Sequence, residues 1–109
     1  MENDIRFAYI TTENKEEART IGRKLVEARL AACVNIVDGM ESMFWWNGKV
    51  DSDNETILIA KTEADLMPKL TDKVKEVHSY DCPAVLSIPV NAGEGNAEFI
   101  EWLRGEVAT

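Results

Sequence analysis

The side chains with chemical capacity are few, and most fall in the second half of the chain. His78 is the single histidine and sits in the short loop His78-Ser79-Tyr80-Asp81-Cys82-Pro83. Neutral imidazole suits divalent copper, and a carboxylate or thiol neighbour such as Cys82 could complete a site. One histidine does not make a tight site alone. Symmetry-related copies, or a carboxylate from a neighbouring chain, would have to contribute. The competing reading has His78 capping the last carbonyls of the preceding helix. Cys33 lies in an apolar run and behaves most simply as a small buried hydrophobe. Cys82 is in a loop and more reachable.

A second polar group consists of Glu55, Lys61 and Tyr80. Lys61 ends an apolar strand, where an ammonium needs a partner, and Glu55 on the same strand is a candidate. Either they form an ion pair at a subunit boundary or they line a polar pocket between subunits. Nucleophilic catalysis finds no motif, and a lone Gly93-Glu94-Gly95 before a helix is a weak phosphate signal. Neither a CxxC pair nor zinc-type spacing is present. The expectation is a protein without a catalytic reaction.

The elements that must position these groups follow from periodicity. Ile5 to Thr11 reads as a first strand. Asn14 then caps a helix, with Glu17 completing a capping-box-like pair, and the helix ends near Arg29. Leu30 to Val37 is a buried strand, broken or bulged at Asp38-Gly39 and continued through Ser42 to Trp46. Asn47-Gly48 turns the chain back through a third strand, Lys49 to Ala60. Asp65 is the expected N-cap of a second helix, with Pro68 at its third position and Leu66, Leu70, Val74 and Val77 as its apolar stripe. Ala84 to Val90 is a fourth strand, which Pro89 marks as near an edge or an end. Asn96 caps a last helix whose Phe99, Ile100, Trp102 and Leu103 can pack inward. The order is β-α-β-β-α-β with an added C-terminal helix: an α+β, ferredoxin-like domain spanning 1–109.

The long hairpin is the unusual part. Met43 and Trp45 point to one face, Phe44 and Trp46 to the other, so both faces ask for cover. One helix layer covers one face, and a second copy of the chain would cover the other. With 109 residues and a formal net charge of −8, nucleic-acid and anionic-membrane binding are disfavoured, since both need clustered Lys and Arg. Glu2 and Asp4 stand where a basic signal region would be, and no apolar run approaches spanning length. A cytoplasmic protein with free thiols is expected.

Taken together, Ala28-Arg29-Leu30-Ala31-Ala32-Cys33-Val34-Asn35, Trp45-Trp46-Asn47-Gly48-Lys49, Glu55 with Lys61-Thr62, the loop from His78 to Pro83 and the closing Trp102-Leu103 resemble the CutA family of divalent-cation-tolerance proteins. The resemblance covers nearly the whole length. It implies a homotrimer joined through long β-ribbons, cytoplasmic, with a role in the response to metal ions, copper above all. It also implies a likeness to the trimeric PII signalling proteins, whose effectors bind between subunits. By that analogy Trp46, Glu55, Lys61, Thr62 and Tyr80 would line an inter-subunit cleft for a small effector or a partner's tail. Where some members carry a cysteine, a second histidine, a proline and a glutamate, this chain has Thr11, Val77, Ser79 and Ala84. A copper site on that pattern keeps His78 alone.

Overall fold

The structure is a computed structural model that describes residues 4–107. The strands are β1 (Ile5–Thr12), β2 (Cys33–Trp46), β3 (Lys49–Glu63) and β4 (Val85–Pro89), and the helices are α1 (Lys15–Glu27), α2 (Met67–Val77) and α3 (Ala97–Glu106). They form a four-stranded sheet in the order β2-β3-β1-β4. Every neighbouring pair is antiparallel. This is the ferredoxin-like arrangement expected, with Pro89 closing an edge strand.

Alternation along the central strands separates two faces. Ala8, Ile10, Leu58 and Ala60 pack against Ala18, Ile21 and Leu25 of α1 and Leu70 and Val74 of α2, forming the core. Gly22 permits that closeness: a Cβ there would stand 2.9 Å from Val34 Cγ2 and 3.2 Å from Leu58 Cδ1. The opposite face carries Phe7, Tyr9, Ile57, Ile59, Leu86 and Ile88, and α3 reaches only one corner of it.

Besides β3 running to Glu63 rather than Ala60 and one-residue shifts at the ends of β1 and β4, three features depart from the sequence-based expectation. First, β2 begins at Cys33 rather than Leu30, because Ala28 to Leu30 close α1. The Arg29 amide donates to the Val26 carbonyl at 3.0 Å, and the Leu30 amide to the Leu25 carbonyl at 2.9 Å. That is a Schellman closure, with Arg29 in the left-handed region (φ 61°) that glycine usually fills. The Arg29 guanidinium is held at 2.7 Å from Glu106 Oε2. Second, Asp65 does not cap α2. It lies in a 3₁₀ turn, Ala64–Leu66, and Leu66 stands at the cap without a side-chain bond. Pro68 accordingly falls one position earlier, among amides that have no intrahelical acceptor anyway. Third, of the inward set proposed for α3 only Leu103 is fully buried, while Phe99 and Trp102 stay partly exposed on the uncovered sheet face.

The β2–β3 ribbon extends past the end of β1, whose pairing with β3 stops at Thr12 and Thr56. The turn at Asn47 (φ 52°) and Gly48 (φ 77°) has the left-handed pair that a type I′ hairpin requires. The expected break at Asp38-Gly39 is a register shift between Val37 and Met40. Helix cover of one ribbon face is not observed: Trp45 (76% exposed), Met43 and Val50 are open on one side, and Trp46 and Phe44 on the other. The helices lie over the base of the sheet and do not reach the tip.

Candidate functional site

The α2–β4 loop is fastened to the end of β1 by His78, whose side chain is fully buried. Nε2 lies 2.7 Å from the Thr11 carbonyl. Nδ1 accepts the Tyr80 amide at 3.0 Å. A carbonyl can only accept and an amide N–H can only donate, so the ring is held as the Nε2–H tautomer. The helix-end carbonyl bond expected for this ring is absent: it reaches across to β1 instead. Glu17 secures the same loop from α1. Its Oε2 accepts the Ser79 amide at 2.9 Å and its Oε1 accepts the Glu13 amide at 2.9 Å. Burial would raise the Glu17 carboxyl pKa, but the Glu13 amide and the Ser79 hydroxyl and amide outweigh it and hold it below its ordinary value.

So fastened, Tyr80 points to the base of the ribbon, where its hydroxyl donates to Glu55 Oε2 at 2.8 Å. Burial first, then the Glu55 hydrogen bond and the charges of Glu55, Asp53 and Glu13, push the Tyr80 phenol well above its ordinary value. A cavity of about 830 Å³ opens beside this pair, and its lining includes the aromatic Phe44, Trp46 and Tyr80, the acidic Asp51, Asp53 and Glu55, and Cys82.

Of the expected cleft residues, Trp46, Glu55 and Tyr80 therefore meet at one cavity. Lys61 does not join them within the chain. It lies six residues along β3 from Glu55, roughly 20 Å at strand rise, so no Glu55–Lys61 pair forms. Its ammonium instead sits 5.6 Å from the Phe7 ring centroid and 5.3 Å from that of Phe99. Thr62 is on the opposite, core face, fully buried, and its hydroxyl has no hydrogen-bond partner among the described residues. The Tyr80–Glu55 bond itself joins residues 25 apart in sequence, and no local pattern announced it.

The donor set around His78 does not fit a metal centre as built. One ring nitrogen already accepts a hydrogen bond, the other donates one, and a metal at either must displace a partner. Among the described residues no group of three His, Cys, Asp or Glu side chains is arranged to hold a metal ion. Nor is any helix among them long and apolar enough to cross a membrane.

Comparison with known proteins bears on the whole of this architecture. The family model described as CutA1 divalent ion tolerance protein matches residues 6–106. The chain belongs to that family. It is 47% identical over 95 residues to the divalent-cation tolerance protein CutA of Thermus thermophilus, covering 87% of this chain and 90% of that one. It is 45% identical over 96 residues to the chloroplastic Protein CutA 1 of Oryza sativa, covering 88% of this chain but only 53% of the rice protein. The chain thus spans about half the length of that relative. The crystal structure of CutA1 from Oryza sativa superposes with a TM-score of 0.93 at 40% identity, covering 97% of this chain and 95% of that one. The family membership accords with the sequence resemblance. The cavity and the His78 fastening are what the geometry adds.

Proposed function

We propose that this chain acts as a homotrimeric, non-catalytic divalent-cation-tolerance protein whose working site is the cavity walled by Trp46, Glu55 and Tyr80. The observation that carries this reading is the Tyr80–Glu55 hydrogen bond, formed at the edge of a cavity large enough for a small molecule. A small effector, or the tail of a partner, fits such a site, as the likeness to the PII proteins implies. Lys61 would join it only from a neighbouring subunit, and Thr62, buried on the core face, would stay outside it. Assembly is supported by the apolar face and ribbon left open in the single chain, and by β2 lying on the sheet edge. Light scattering on the purified protein tests this: a mass of one chain in dilute buffer overturns it.

Direct copper binding is the second reading. What favours it is the exposed thiol of Cys82, beside Asp81 at the cavity rim, where a metal need not disturb His78. A chelator-competed copper titration separates the two. Loss of a stoichiometric site in Cys82→Ser or His78→Ala makes the metal role direct. Equal, weak binding by all forms leaves the cavity as the site. A reducing, cytoplasmic location suits the two free cysteines, Cys33 and Cys82.

A further inference from the structure

The end of α1 is closed by main chain alone: the Ala28, Arg29 and Leu30 amides donate to the Lys24, Val26 and Leu25 carbonyls. Glycine would make the same bonds and would sit in the left-handed region without the clash that a Cβ brings. Arginine therefore serves that turn no better than glycine, and what it adds is its side chain. The guanidinium crosses to a residue 77 positions on, where Nη1 donates to the Glu106 carbonyl at 3.0 Å and to Glu106 Oε2 at 2.7 Å.

Glu106 is the last residue of α3, and that helix end lacks a closure like the one on α1. Val107 runs on in extended conformation (φ −103°, ψ 146°), and no cap bond from its amide is formed among the described residues. The last carbonyls of a helix have no intrahelical donor, and a carboxylate beside them has the wrong sign for the negative end of the dipole. A cation that bonds the Glu106 carbonyl and carboxylate together answers both. The helix also needs a fastener, because its 10 residues are too few to be stable alone. Leu103 is fully buried, but Phe99 and Trp102 stay partly exposed. The Phe99 ring centroid lies 5.3 Å from the Lys61 ammonium, on the sheet face left open in the single chain.

We propose that Arg29 is the C-terminal cap of α3, supplied from α1, and that α3 so capped is a strap holding Phe99 over Lys61 at the edge of the assembly face. The left-handed backbone at Arg29 aims the guanidinium at Glu106. The link to assembly rests on the proposed homotrimer; the strap itself does not.

Hydrogen exchange of the full-length protein, read by mass spectrometry, tests the strap. Arg29→Gly keeps the α1 turn and removes the cap, so the Ile100 to Glu106 amides exchange about fivefold faster or more while the end of α1 keeps its protection. Arg29→Lys, a point charge without the planar fork, restores part of the difference. Arg23→Ala breaks an exposed pair on the same helix, with Glu27 at 3.7 Å, and leaves α3 unchanged. Unchanged exchange of α3 in Arg29→Gly, or equal loosening of α1 and α3, overturns the proposal. Light scattering on dilution reads the assembly, and Arg29→Gly is expected to dissociate at a higher concentration than the native protein. If it loosens α3 yet dissociates at the same concentration, the link to assembly falls. If the native protein is itself a single chain, the homotrimer falls and exchange alone decides the strap.

Discussion

His78 and Tyr80 are bound through the chain itself: the Tyr80 amide donates to His78 Nδ1 at 3.0 Å, while His78 Nε2 is anchored 2.7 Å from the Thr11 carbonyl. The imidazole is a strut between β1 and the loop that carries Tyr80 to Glu55. Its removal takes away the acceptor of the Tyr80 amide and the donor to the Thr11 carbonyl together.

His78→Ala is therefore expected to destabilise the protein by about 2–4 kcal/mol, from two lost bonds and the unsatisfied groups they leave. Denaturant unfolding with a two-state fit measures it. A change below about 0.5 kcal/mol, the usual size for a surface substitution, would mean that the ring is not a strut.

Tyr80→Phe removes one partly buried hydrogen bond to a carboxylate and should cost about 1 kcal/mol while leaving the fold intact. In the unmodified protein the Tyr80 phenol should titrate above the ordinary value of 10.0, because burial and Glu55 disfavour phenolate. Glu55→Gln should bring it down in a spectrophotometric titration, and an unchanged curve would remove Glu55 as a cause.

Glu17 links the loop to pH. Its folded-state pKa lies below the ordinary 4.5, so its contribution is present in full above that value and is lost as pH falls through the folded pKa. Comparing unfolding of the native protein with Glu17→Gln should show a gap that is constant near neutrality and closes in the acid range below 4.5. A gap that widens on acidification would contradict the assignment.

Gly22→Ala should destabilise by about 1–3 kcal/mol, because the added methyl meets Val34 at 2.9 Å and either the side chain or α1 must shift. Thermal unfolding reads this directly. Helix propensity alone predicts the opposite sign, so the outcome discriminates between the two effects.

Much of the architecture could be read before the coordinates. The Asn47-Gly48 turn, the Asp38-Gly39 break and the Asn14 and Asn96 caps all act within a few residues, and each appears where local chemistry placed it. The errors were at ends decided by competition. Leu30 has strand character, yet its amide closes the Schellman motif of α1. Asp65 is a good cap by type, yet it lies in a 3₁₀ turn and α2 begins one residue further along, with Leu66 at its cap.

The amino-acid sequence by itself determined the order of elements, the two-sided apolar ribbon and the family, since these rest on periodicity and short motifs. Only the tertiary structure decided the site. His78 and Thr11 are 67 residues apart, and Glu55 and Tyr80 are 25 apart. Hydrogen bonds at such separations depend on how the sheet and helices dock, which no local pattern records. Strand alternation likewise put Lys61 and Thr62 on opposite faces, the one between two aromatic rings and the other in the core, although they are neighbours in the chain.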